Sequence, residues 1–102
     1  MNDAELNRRL AEALGFEMLV EESGDVFVFP NELPFSPATD RNHLAEYVLP
    51  EVGRRGLWRV LSENLEYAWA HSEVQTLGEF LLASSPRVLA SAALKVLEAS
   101  HE

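Results

Sequence analysis

The residues able to do chemistry in this chain are few and scattered. His43 and His71 have the right side chains for a metal ligand or a general base. Glu46 is the one acid at i+3 or i+4 from His43, and His71-Ser72-Glu73 has no recognised ligand geometry. Both histidines read as structural or surface groups. A serine nucleophile needs a neighbouring base or a sharp Gly-x-Ser-x-Gly turn. Ser23 stands before Gly24 in an expected turn and Ser85 before Pro86 at an expected helix cap, so neither has that context. The five glycines form no phosphate-cradling loop. Gly53-Arg54-Arg55-Gly56 is cationic with flexible flanks, yet it sits at an expected helix C-terminus, where the dipole disfavours anions. The sequence therefore offers no catalytic, cofactor-binding or metal-binding residue, and the reading is that of a protein that is not an enzyme.

Acids and aromatics are the remaining candidates. Glu21, Glu22 and Asp25 cluster at the tip of an expected hairpin, and Glu63 and Glu66 flank a second expected turn. Such acids are ordinarily just solvated. The functional alternative is a negative patch that competes with nucleic acid for a basic groove on another protein. Trp58, Tyr67 and Trp69 suit a core, and they equally suit interface anchors. Glu21, Glu22, Asp25, Glu63, Glu66, Trp58 and Trp69 are the candidate partner-binding set.

Charge and composition narrow the partners. Seventeen acids against eight bases give a net charge of −9 over 102 residues. That balance repels phosphate backbones and anionic membranes, and it attracts a basic protein surface. With no cysteine, disulfides and thiolate metal sites are excluded, which fits a reducing compartment. The start, Met1-Asn2-Asp3-Ala4-Glu5, is unlike a secretory signal, and no apolar run is long enough to span a membrane. A cytoplasmic protein is the expectation.

The elements that must position these groups fit one domain over residues 1–102. Asn2 with Glu5 resembles a capping box, Leu6, Leu10, Ala13 and Leu14 form a helical stripe, and Gly15 is a stop. Glu17-Met18-Leu19-Val20-Glu21-Glu22 and Asp25-Val26-Phe27-Val28-Phe29 read as two strands about a Ser23-Gly24 turn. That turn sets Val20 against Phe27 and Met18 against Phe29. Leu19, Val26 and Val28 occupy the other face, so the hairpin calls for cover on both sides. Pro30, Pro34 and Pro37 forbid a regular element around them, while Leu33 and Phe35 are expected to tuck into the core.

Thr39 or Asp40 caps a second helix with the stripe Leu44, Tyr47, Val48 and Val52, and Pro50 predicts a kink or break near Leu49. Residues 57–74 fit two patterns: Trp58, Leu61, Leu65 and Trp69 recur at helical spacing, while Trp58 and Val60, then Leu65, Tyr67 and Trp69, alternate. Trp, Val and Tyr favour strands, so a second hairpin turning at Asn64 is preferred. Glu79-Phe80-Leu81-Leu82 reads as a short edge strand or packed loop. Ser85 and Pro86 start a last helix whose stripe is Leu89, Ala92, Ala93, Val96 and Leu97, its small residues allowing close approach to a sheet. Ser100-His101-Glu102 is expected to fray. The fold class is α+β, in the order α-ββ-α-ββ-α, with helices packed on an antiparallel sheet.

The run Ala83-Ser84-Ser85-Pro86-Arg87-Val88-Leu89-Ala90-Ser91-Ala92-Ala93-Leu94-Lys95-Val96-Leu97 resembles the closing segment of small phage proteins grouped as the phage ABA sandwich domain. Leu6 to Phe16 resembles their first helix and its exit into a strand, and Phe35-Ser36-Pro37-Ala38-Thr39-Asp40 resembles the approach to their second. Pro50 and the central strands depart from that pattern. The resemblance implies a phage or prophage protein in a bacterial cytoplasm and brings no catalytic residues with it. The functional expectation is a small acidic protein that binds a basic host protein, as an inhibitor of a defence or transcription component. The alternative is a structural homo-oligomer that buries the second apolar face of its hairpin against a copy.

Overall fold

In a computed structural model, which describes residues 1–100, the first helix starts where Asn2 accepts a hydrogen bond from the Glu5 amide at 2.8 Å. This helix, α1 (Asp3–Leu14), buries Leu6, Leu10, Ala13 and Leu14 and ends at Gly15, whose φ of 78° is the left-handed conformation that glycine adopts without strain. The chain then forms a three-stranded antiparallel sheet, β1 (Met18–Val20), β2 (Val26–Val28) and β3 (Leu33–Pro34), in the order β1-β2-β3.

The hairpin register differs from the expected one. Met18 faces Val28, Leu19 faces Phe27 and Val20 faces Val26. The connection is a loop over 21–25, closed by the Glu21 amide on the Asp25 carbonyl at 3.0 Å, so the two-residue turn does not form. Lengthening the loop moves every facing pair by one residue and gathers Met18, Val20, Val26 and Val28 on one face. Val26 and Val28 are buried beneath α1. The third strand was excluded by its prolines, but Pro34 lies on an edge, where a missing amide costs the ladder nothing. Phe35 enters the core as expected. Leu33 stays 44% exposed.

Asp40 caps the next helix through the Asn42 amide at 2.8 Å. That helix, α2 (41–54), contains Arg41–His43, a π turn over Leu44–Val48, and Leu49–Arg54. Pro50 has no amide for the ladder, and the expected break takes the form of the π turn just before it, in which the Leu49 amide reaches the Leu44 carbonyl. Leu44, Val48 and Val52 are buried.

The second hairpin is absent. Trp58–Ala70 is a helix, α3, and Leu77–Ala83 is another, α4. The helical stripe prevails because Leu61 and Leu65 pack toward the core, Arg59 pairs with Glu63 at 3.3 Å one turn on, and Asn64, in place of a turn, bonds its side chain to the Val60 carbonyl at 2.8 Å. Thr76 caps α4 through the Glu79 amide at 3.1 Å, a capping-box signal that the sequence reading passed over. The last helix, α5 (Pro86–Ala99), starts at Pro86 as expected. Its small face packs on α1 and not on the sheet: Ala90, Ala93, Leu94 and Leu97 join Leu6, Leu10 and Ala11 in the core, and Arg9 clasps Glu98 at 2.7 and 3.1 Å. Ser100 Oγ donates to the Leu97 carbonyl at 2.8 Å; the fraying expected of His101 and Glu102 lies outside the described residues.

The fold is thus α+β, with an antiparallel sheet and helices packed on it. Cover is one-sided. Among the described residues no single helix is long and apolar enough to cross a membrane, and the jointly apolar pair Leu77–Ala83 and Pro86–Ala99 bends by 106°.

Candidate functional site

The strand alternation that buries Val26 and Val28 sends Glu17, Leu19, Glu21, Asp25, Phe27 and Phe29 to the opposite face of the sheet. Leu19 is 46% exposed, Phe29 is exposed and Phe27 half-buried, with Pro34 extending the row Leu19–Phe27 across β3. This face has an apolar centre and an acidic margin. A cleft of about 260 Å3 runs between α1 and the β2–β3 edge, lined by Asn7 with residues 25–27 and 34–36.

The margin is not neutralised by the chain itself. From residue 10 to residue 40 there are acids at 12, 17, 21, 22, 25, 32 and 40 and no lysine or arginine. The seven arginines are engaged on the helices. Arg8 pairs with Glu12, Arg9 with Glu98, Arg54 and Arg55 with Glu51, Arg59 with Glu63 and Arg87 with Asp3, while Arg41 donates to the Leu82 and Ser84 carbonyls. Among the described residues Glu17, Glu21, Glu22 and Asp25 have no ion-pair partner. The tip carrying Glu21, Glu22 and Asp25 is held against α1. Gly24 has φ 93° and its α-carbon lies so close to α1 that a Cβ would come within 2.9 Å of the Ala4 Cβ, and Ser23 Oγ donates to Asp25 at 3.1 Å.

Glu21, Glu22 and Asp25 are therefore brought together on one surface. Glu63, Glu66, Trp58 and Trp69 lie elsewhere, on α3, which packs against α5 and α4. Glu63 is paired with Arg59. Trp58 lies over Gly53 so closely that a Cβ there would meet the indole nitrogen at 2.5 Å. Trp69 is half-buried and donates its indole N–H to the Val74 carbonyl at 3.0 Å, closing the end of the helix. The sequence reading missed Glu17, Leu19, Phe27 and Phe29 as site residues. The signal was available in the long stretch without a cation combined with apolar residues at alternate positions.

One constellation resembles a catalytic triad: Ser36 Oγ lies 3.2 Å from His43 Nδ1, and His43 Nε2 lies 3.5 Å from Asp40. Its hydrogen bonding is that of a helix cap. The Ser36 amide donates to His43 Nδ1 at 2.9 Å, filling the lone pair that a general base would need for the hydroxyl proton. Asp40 meanwhile caps α2, and the imidazole packs edge-on against Tyr47. His71 stacks on Tyr67 at 4.2 Å between ring centres. The Glu51 carboxyl is lowered to about 2 by hydrogen bonds from Arg54 and Arg55. No group of acids and histidines able to hold a metal ion occurs among the described residues. No protein-family profile, curated protein or solved structure matches the chain.

Proposed function

We propose that this protein acts by binding a protein with a basic surface, and that the open face and acidic tip of the β1–β2 hairpin make the contact. The observation that carries this reading is the patch of exposed Leu19 and Phe29 with half-buried Phe27 between them, bordered by Glu17, Glu21, Glu22 and Asp25, none of which has an ion-pair partner among the described residues. An apolar centre with a polar rim is the usual anatomy of a protein interface. Uncompensated charge at that rim speeds encounter with an oppositely charged partner and rejects acidic ones. The phage-type form of the proposal places the partner in a bacterial host cytoplasm, as a defence or transcription component whose nucleic-acid groove the acids occupy. That form is supported by the resemblance of the C-terminal run.

Selection from a displayed random-peptide library on the immobilised chain tests the reading. Enrichment of sequences combining Lys or Arg with aliphatic residues is expected, with recovery lost on Glu21→Lys/Glu22→Lys/Asp25→Lys and at high salt. Enrichment without basic residues, or recovery indifferent to the charge reversal, contradicts it.

A second reading, self-association, is favoured by a different surface. Leu82 is 83% and Tyr67 69% exposed on α4 and α3. Concentration-dependent mass in light scattering, abolished by Leu82→Glu, is the result that supports it.

A further inference from the structure

The hydrogen bonds flanking β1 determine which of its backbone groups are free. The Phe29 amide bonds to the Glu17 carbonyl and the Glu21 amide to the Asp25 carbonyl, each at 3.0 Å. In an antiparallel ladder, bonded and non-bonded pairs alternate. Glu17–Phe29, Leu19–Phe27 and Glu21–Asp25 are thus the bonded pairs, and the N–H and C=O groups of Met18 and Val20 point away from β2. β1 is the edge of the sheet, and among the described residues no other group bonds to those donors and acceptors. Exposed edges are normally blunted by shortness, charged side chains, proline, a bulge or a covering element, and of these β1 has its three-residue length and its flanking glutamates, devices that reject a like-charged strand and not a basic one. Met18-Leu19-Val20 itself carries no charge, proline or bulge, and Leu19 and Val20 are 46% and 43% exposed.

The charges beside this edge select what can be added to it. A second copy of β1 aligned on Leu19 would set Glu17 against Glu21 if antiparallel, and each acid against itself if parallel. Like charges directly opposite destabilise a strand pair. A strand with cations at those two positions and an apolar residue between them meets the reverse situation.

We propose that β1 binds its partner by strand addition, pairing with an extended segment that places Lys or Arg opposite Glu17 and Glu21 and an aliphatic residue opposite Leu19. This rests on the binding reading above and names its mode. Backbone bonds to Met18 and Val20 supply register, and the cation-x-apolar-x-cation pattern supplies selectivity on the outer face, where the added apolar residue prolongs the Leu19–Phe27–Pro34 row.

The experiment uses the full chain, isotope-labelled, and two synthetic peptides that carry lysine-threonine-valine-threonine-lysine or glutamate-threonine-valine-threonine-glutamate between Gly-Thr flanks. The lysine peptide is expected to slow hydrogen exchange at the Met18 and Val20 amides, and the glutamate peptide to leave them unchanged. Val20→Pro removes an outward donor without touching the β1–β2 ladder, and is expected to weaken the lysine peptide by about tenfold or more. Retained protection of the Phe27 amide shows the hairpin intact in that variant. If the hairpin is lost there, Glu17→Lys/Glu21→Lys decides: preference must switch to the glutamate peptide. Binding of the lysine peptide with Met18 and Val20 still exchanging freely, or equal binding by an intact Val20→Pro, overturns strand addition while leaving the basic-partner reading standing. No binding of the lysine peptide overturns strand addition too, and the library selection then judges the basic-partner reading separately.

Discussion

The β1–β2 hairpin and helix α3 carry the same kinds of residue, acids beside exposed apolar groups, and the chain treats them differently. On α3, Glu63 is answered by Arg59 and Trp69 is bonded to Val74, while Trp58 lies over Gly53 yet stays 49% exposed and Glu66, among the described residues, has no ion pair. At the C-terminal end of α2 the same holds for Glu51, which two arginines share. On the hairpin, Glu17, Glu21, Glu22 and Asp25 have no ion-pair partner among the described residues, and Leu19 and Phe29 are 46% and 38% exposed. Residue type alone does not distinguish a binding group from a structural one. What separates them is whether the group's interactions are already made within the chain.

The largest effect that would sharpen this contrast is on binding. Glu21→Lys/Glu22→Lys/Asp25→Lys is expected to weaken a basic peptide ligand about 30-fold, roughly 2 kcal/mol, whereas Glu63→Lys/Glu66→Lys changes affinity less than about twofold. Titration calorimetry on both variants checks it, and equal losses would erase the distinction. Next is Gly24→Ala, which combines a left-handed φ with the Ala4 contact at 2.9 Å. It is expected to cost about 2 kcal/mol in denaturant unfolding and to disorder the tip, whereas Gly78→Ala, which meets nothing within 4 Å, costs nothing or stabilises.

Glu51 gives the comparison a pH dependence. Its carboxyl is lowered to about 2 by Arg54 and Arg55, so it contributes stability above the unfolded carboxyl's value near 4.5 and loses it as pH falls toward 2. Glu51→Gln is expected to cost about 1 kcal/mol at pH 7, after allowance for solvent screening, and almost nothing at pH 2, measured by thermal unfolding at both. Smallest is Trp69→Phe, expected to lose about 1 kcal/mol or less with the Val74 bond and to leave peptide binding unchanged.

Much of the frame was legible where local chemistry is decisive. The Asn2 cap, a cap at Thr39 or Asp40, the Gly15 stop, the Pro86 start and the hairpin itself are read from a few neighbouring residues. The register was not, because Ser23-Gly24 looks like a complete turn and the longer loop depends on Gly24 settling against Ala4, a contact made across the fold. Helix α3 was missed because Trp, Val and Tyr have strand propensity, and packing against α5 overrode it. Of the candidate site, the acidic tip was visible as sequence. Leu19 and Phe27 became candidates only once the register showed which face α1 leaves open, and the cover expected on both flanks proved to be on one.

Hydrogen exchange of the free chain, resolved residue by residue along β1, tests the central claim most directly. Alternation is expected: Leu19 and Glu21 amides protected by their bonds to Phe27 and Asp25, Met18 and Val20 amides exchanging freely. Protection of Met18 and Val20 equal to that of Leu19, in a sample that is monomeric by light scattering, would mean the edge is already occupied within the chain and would contradict it.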